Sequence, residues 1–483
     1  MADPNTPPAG PGYHESTIVY AYREPRAMRS AEERVGEGAP GSTALDAVVR
    51  YVAEHPGARR TRIGATDPDL GNYRSSFPLL EFVETGSPRD AAELLGTLRR
   101  DTANVRYAHH PAVHWLMDPP SGESPGEEAG GPARSGEPGP VLSDRRWWLD
   151  TCGFPAAWTR EMAVSAAAEA RPVGVIDFGP DFGHPELRGK IDEVHVLPPG
   201  SAPSRIVHAS SIAGVIAAHR SDGAPDVVAG CCGARIELYN VATVEAFNPI
   251  AYHEALIRVA QHGLPVVNLS LGTDEEEPST RDLIDTCRNA GVVVVAAVGD
   301  YAALGSPRRY PAAYPGVIGV GGLSRGGVPT ETTTRGETVF ISAPGANIYT
   351  LHGSSGYRYQ TGTSFAAAMV SAAVWLARSA DRSLTARDVA DLLAGTAAPI
   401  DGGRCRDAGH GRLDVARLLE AVRGRREGGT GLPPRPPVPP TPAPAGGGDG
   451  RDGGPARDFG NTRDGGLSRD RPAASRFGDS RDG

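Results

Sequence analysis

The chain has 483 residues and is almost without lysine: Lys190 is the only one, so nearly all its positive charge is arginine. With 62 glycines and 44 prolines, that reads as a bias of coding composition, and it carries no function. Net basic charge is also missing. A formal charge of −9 excludes a general nucleic-acid or membrane-surface binder, which needs a basic footprint. Cysteine is scarce and odd in number, and Cys152, Cys231, Cys232, Cys287 and Cys405 lie mostly inside apolar stretches. The adjacent Cys231-Cys232 pair lacks CxxC spacing, so the cysteines read as reduced, buried small hydrophobes rather than a disulfide framework or zinc site. No apolar run approaches the roughly 18 residues that span a bilayer. The start MADPNTPPAGPGYHE has neither the basic nor the apolar region of an export signal, so a cytoplasmic location is expected. No loop of the D-x-D-x-D kind is present, so no metal site and no cofactor are assigned.

What is present divides the chain by composition. Residues 1–42, rich in Pro, Gly and charge, are expected to be mostly disordered, with one β-like stretch at Ser16–Tyr22. Residues 43–117 read as a small α+β unit: helical spacing at Ala44–Ala53, a strand at Leu79–Val83, an amphipathic stretch at Asp90–Leu98 and a strand at Val105–Ala108. Residues 118–141 are a flexible linker by composition. In 142–424 apolar runs alternate with helical segments, which implies a mostly parallel sheet with helices on both faces. The helix predicted at 364–378 is apolar almost all round and should be buried. Residues 425–483 turn Pro-rich and then Gly/Arg/Asp-rich, without the apolar content to fold.

Three short segments carry chemistry. VIDFG holds Asp177 at the end of a predicted strand, VHASSIAG holds His208 at a helix start, and TGTSFAAAMV holds Ser364 at another helix start. The order Asp, His, Ser is one of the few in which a hydrolytic triad is known to assemble, and it points to a nucleophilic serine hydrolase.

Those segments, together with Trp147–Asp150, Val266–Gly272, Tyr310–Pro315, Ser342–Gly345 and Gly409–Asp414, resemble the subtilisin-like serine proteases, the subtilases, over roughly 142–424. The resemblance implies a subtilisin-like α/β fold and a serine endopeptidase. Ser364 would be the nucleophile, His208 the general base and acid, and Asp177 the group orienting His208. The Ser364 N–H would be one oxyanion donor. Where the family has an asparagine as second donor, this chain has Asp300, whose ionised carboxylate cannot donate. A slow enzyme, one needing a protonated Asp300, or an inactive one all follow. Phe178, Ala209, Ser210 and Ala368 depart from the family pattern next to the triad.

Substrate contacts would come from Ser270, Leu271, Gly272, Ala297, Val298 and Gly299, pairing with an extended polypeptide as an added strand. The acidic run Asp274–Glu277 reads first as a solvated loop and, as the lesser alternative, suggests a preference for basic substrate side chains. The unit at 43–117 looks like a propeptide or an unrelated accessory domain; the first implies intramolecular binding to the cleft. Relatives often use calcium, which no motif here supports. The alternative is a pseudoprotease that binds peptides in the same groove without turnover; an esterase is the weaker third reading.

Overall fold

The computed structural model describes residues 14–37, 43–63, 80–116, 145–158, 170–179, 183–197, 206–219, 230–243, 246–401, 405 and 407–428. Residues 1–13, the linker expected at 118–141 and the tail beyond 428 lie outside them.

Period-two patterning builds the N-terminal unit. Along β1 (Thr17–Tyr22), Ile18, Tyr20 and Tyr22 pack into a core with Met28, Leu45, Leu94 and Leu98, while Val19 and Ala21 belong to a different core. β2 (Arg59–Arg62), β3 (Leu80–Glu84) and β4 (Val105–His109) complete an antiparallel sheet in the order β2-β3-β1-β4. Helices Pro25–Gly36, Ala44–Glu54 and Pro88–Arg100 supply the first core. The latter two start at side-chain caps, Thr43 in a capping box with Asp46 and Ser87 accepting from the Asp90 N–H. The β-like stretch expected at Ser16–Tyr22 is strand β1, an interior strand buried on both faces, whereas the helix Pro25–Gly36 stands where disorder was expected.

After β5 (Trp115–Leu116) the chain enters a larger unit with β6 (Val173–Asp177), β7 (Ile191–Val194), β8 (Ile236–Asn240), β9 (Val266–Leu269), β10 (Leu271–Gly272), β11 (Val293–Ala297), β12 (Ile318–Leu323) and β13 (Ile341–Pro344). Seven of these form a parallel sheet in the order β13-β12-β11-β9-β6-β8-β7. β6, β8, β9, β11, β12 and β13 are buried at every position, as strands covered on both faces must be. Helices His208–Ala217 and Thr363–Ala380 pack into one core, Pro249–His262 and Pro278–Asn289 into the other. The α/β fold predicted from the alternation is the one observed. The hairpin of β14 (Ile348–His352) and β15 (Gly356–Gln360) was not anticipated, and the last helix, Val415–Arg426, runs two residues past the expected boundary. β6 is the first core strand in the chain and lies between β8 and β9, with β8 and β7 on one side and β9, β11, β12 and β13 on the other. Its carboxyl end is the switch point at which such sheets open a crevice.

The second face of the small sheet docks on the large unit. Val19, Ala21, Ile63, Leu80 and Phe82 share a core with Phe247, Tyr252, Leu256, Leu271 and Ile284. The Phe82 ring meets His253 edge-on at 5.1 Å, and His114 lies 4.6 Å from Phe247 and 4.7 Å from Tyr252. Polar groups close the rim: the Tyr107 hydroxyl donates to Asp282 at 2.8 Å, Arg106 pairs with Asp282 at 2.8 Å, and the Ala112 N–H donates to Glu277 at 2.7 Å.

Burial holds His114 and His253 down to about 3 and His109 down to about 4. It pushes Glu277 up to about 7. For the histidines, stability is full above their ordinary value of 6.5 and is lost as pH falls toward 4, because only the opened chain takes up the protons. Glu277 works oppositely, its contribution being full below 4.5 and lost as pH rises to about 7. Three histidines outweigh one carboxyl, so the thermal midpoint should drop between pH 6.5 and 4.5, and His114→Phe should make that drop smaller. A midpoint that rises over this range contradicts the assignment.

Candidate active site

Asp177 closes β6 and is fully buried. The next residue ties it in place: the Phe178 N–H donates to Asp177 Oδ1 at 2.6 Å, and the Phe178 carbonyl accepts the Ala209 N–H at 3.1 Å. These bonds dock the strand end against the helix His208–Ala217. The Phe178 ring stacks toward Phe247, 6.1 Å away, which gives its bulk a home in the docking core. Gly179 follows at φ +87°, where a Cβ would lie 1.5 Å from the Ile206 carbonyl oxygen. Only glycine fits there.

His208 is the first residue of its helix, and its Nδ1 lies 2.7 Å from Asp177 Oδ1. An Nδ1–H donated to the carboxylate leaves Nε2 as the basic nitrogen. Ala209 and Ser210 are fully buried, and the Ser210 hydroxyl donates to the Val207 carbonyl at 2.7 Å, so both fit the helix start.

Ser364 is the second residue of the helix Thr363–Ala380, which is buried from Thr363 through Ala377. Its hydroxyl has no hydrogen-bond partner among the described residues. Its carbonyl accepts the Ser270 hydroxyl at 3.4 Å, and the ring of the following Phe365 lies 6.0 Å from the His208 ring. Ala368 packs inside the core without strain, one more small residue on that helix.

Asp300 sits at the head of the same helix. Its Oδ2 accepts the Thr363 N–H at 2.7 Å and the Thr363 hydroxyl at 3.1 Å, and its Oδ1 accepts the Thr332 hydroxyl at 2.9 Å. The residue before the helix, Gly362, has no side chain to cap it, so the carboxylate caps it from across the cleft. Both oxygens are acceptors, which makes Asp300 an anchor of the serine helix rather than a donor to an oxyanion. Sequence reasoning missed Thr363 and Thr332, whose only signal was a hydroxyl within hydrogen-bond reach of Asp300.

The six expected substrate residues fall into two groups. Leu271 and Gly272 pair antiparallel with Leu116 and Trp115, so the edge beyond Ser270 already holds an added strand from the chain itself. On the other side the Val298 N–H goes to Val320 and the Gly299 N–H to the Thr363 hydroxyl at 3.0 Å, and Ala297 is laddered to Val320. Those amides are consumed in the core. Three of the four residues of the acidic run carry partners: Asp274 pairs with Arg309, Glu276 with Arg281, and Glu277 is buried against Ala112 and Thr280, while Glu275 is exposed. Among the described residues, no cluster of His, Cys, Asp and Glu is arranged to hold a metal, and no helix is long and apolar enough to cross a membrane.

A family model described as the subtilase family, Peptidase S8, matches residues 170–445. Subtilisin DY of Bacillus licheniformis is 28% identical over 232 residues, 47% of this chain and 82% of that protein. Thermitase of Thermoactinomyces vulgaris is 27% identical over 267 residues, 53% of this chain and 92% of that protein. Among solved structures, fervidolysin from Fervidobacterium pennivorans, a keratinolytic enzyme related to subtilisin, superposes with a TM-score of 0.63 at 21% identity. That match covers 87% of this chain and 62% of fervidolysin.

The tight turn after Asp177 gives a direct check on the site. Gly179→Ala forces a Cβ into a carbonyl at a positive φ, and it should cost at least about 3 kcal/mol and unseat the Asp177–His208 contact. Denaturant unfolding measures the first effect, and loss of the downfield Nδ1 proton signal of His208 measures the second.

Proposed function

The chain belongs to the subtilase family of serine proteases, and from that premise we propose that it is an endopeptidase working through Ser364, His208 and Asp177, slowed by Asp300 and held shut by its own N-terminal unit. The observation that carries the reading is the 2.7 Å Asp177–His208 bond, made at the strand switch point beside the head of the serine helix.

An extended substrate would add to the Ser270–Gly272 edge by backbone bonds. Ser364 Oγ attacks the carbonyl carbon as its proton passes to His208 Nε2, and the carbonyl electron pair moves onto oxygen. Asp177 holds the imidazole and stabilises its cation. Collapse breaks the C–N bond, the leaving amine takes the proton from His208, and water attacks the acyl-enzyme by the same path in reverse. The oxyanion has the Ser364 N–H and the positive end of the helix to face. Asp300 partly cancels that end. Loss of one oxyanion donor alone lowers kcat by about 10²–10³ in such enzymes.

The pairing of Trp115 and Leu116 with Leu271 and Gly272 supports an inhibitory role for the N-terminal unit, since that edge is the one a substrate needs. A non-catalytic peptide binder is the second reading, favoured by the acceptor geometry of Asp300.

A fluorophosphonate should label the chain weakly when intact and strongly after a protease site placed in 118–141 is cut, with no label in Ser364→Ala. Absence of label in the cut protein favours the binder. Asp300→Asn keeps one acceptor for Thr363 and adds an N–H, so kcat should rise about tenfold or more with KM little changed. An unchanged or lower kcat argues against the account of Asp300.

A further inference from the structure

Arg309 is one of the largest fully buried side chains in the molecule, at 1% exposure, and the mechanism makes no use of it. Its place is set by backbone bonds. Thr273 and Tyr310 exchange both N–H···O bonds at 2.8 Å, which staples residues 309–310 to the end of the Ser270–Gly272 edge. The Ala313 N–H donates to the Arg309 carbonyl at 2.8 Å and turns the following loop away. The guanidinium then reaches the other wall, where its carbon lies 4.2 Å from the centroid of the Tyr301 ring, one residue after Asp300. Arg309 thus bridges the segment around Thr273 and the segment around Tyr301, which flank the head of the serine helix.

Its charge is met by Asp274, whose side chain is 52% exposed although Arg309 is buried. Glu276 and Glu277 turn elsewhere, and Glu275 is exposed. Glu276 pairs with Arg281 and accepts from the Tyr310 hydroxyl, and Glu277 is held by Ala112 and Thr280. Asp274 is therefore a carboxylate on a surface turn reaching down onto a fixed, buried cation. A substrate carboxylate can take its place at no change in net charge, releasing Asp274 to water. A neutral side chain leaves Asp274 where it is, and a lysine or arginine meets a like charge in a poorly hydrated site.

We propose that Arg309 is the specificity-determining residue of the cleft, selecting a glutamate or aspartate side chain on the acyl side of the scissile bond, with Asp274 as the internal placeholder it exchanges. The placement follows from Gly299 and Thr363: the wall that Arg309 reaches is bonded to the first residue of the serine helix, so the substrate residue over it is the one carrying the attacked carbonyl. This rests on the peptidase reading above. It also reverses the sign of preference that the acidic run alone suggests.

The test is a peptide set varied only at that residue (Glu, Gln, Leu, Lys), hydrolysed by the full chain cut within 118–141. Cleavage after Glu should exceed Gln by about tenfold or more in kcat/KM, and Lys should be the poorest. Arg309→Met should remove the Glu/Gln difference, Arg309→Lys should keep part of it, and Asp274→Asn should raise the Glu/Leu ratio of kcat/KM several-fold. Fluorophosphonate labelling of each variant shows that the site is still folded. Ser364-dependent hydrolysis with no preference for Glu, or with a preference that Arg309→Met leaves intact, overturns the role of Arg309 while the peptidase stands. If Arg309→Met loses both label and activity, the Asp274→Asn result decides: no gain in the Glu/Leu ratio overturns the proposal. Absence of any Ser364-dependent hydrolysis removes the peptidase reading and this one with it.

Discussion

A helix buried along its length has no water to satisfy its first amides, and the architecture around Ser364 follows from what satisfies them. Gly362 allows the tight approach to the helix but offers no cap. The Thr363 N–H is taken by Asp300, reaching in from the end of β11, and the Thr363 hydroxyl returns the link by accepting the Gly299 N–H. Thr332 holds the other oxygen of Asp300. Two segments distant in sequence, Gly299–Asp300 and Thr332, are thereby fixed to one helix terminus, and the Ser364 hydroxyl inherits its position from them. The same negative charge that anchors the helix opposes an anion forming beside it. Stability of the terminus and acceleration of the chemistry draw on one dipole.

The second organising element is the strand switch at β6. It delivers Asp177 to a crevice, and the Phe178 backbone clamps that end to the helix bearing His208. The phenyl ring belongs to the core shared with the N-terminal sheet. Phe178 therefore connects Asp177 to the docking surface: the residue that braces that carboxylate also packs where the small unit sits.

Most of the large unit was legible because buried parallel strands read as continuous apolar runs, and Asp177, His208 and Ser364 each stand where such a run or a helix begins or ends. What stayed hidden has physical reasons. β1 was legible as a β-like stretch, but its alternation between two cores is visible only once both exist. β14 and β15 draw their stability from packing on the helix His208–Ala217, through Ser211 with Leu351 and Thr350 with Ser211, which no local pattern announces. Asp300 was visible as a departure, but whether its oxygens give or receive depended on Thr332 and Thr363. The partners of the acidic run were not legible, because charge in a sequence does not show which of its members are paired, and Arg309 lies more than thirty residues downstream of Asp274.

The strand Trp115–Leu116 is part of the same covalent chain as the edge it covers. Its local concentration at that edge is set by the tether and not by how much protein is present, so dilution cannot open the intact molecule. Once the tether is cut, the same contacts become those of two separate molecules, and occupancy of the cleft begins to depend on concentration. A single backbone break thus turns a constant into a variable, with no change in any contact at the cleft itself.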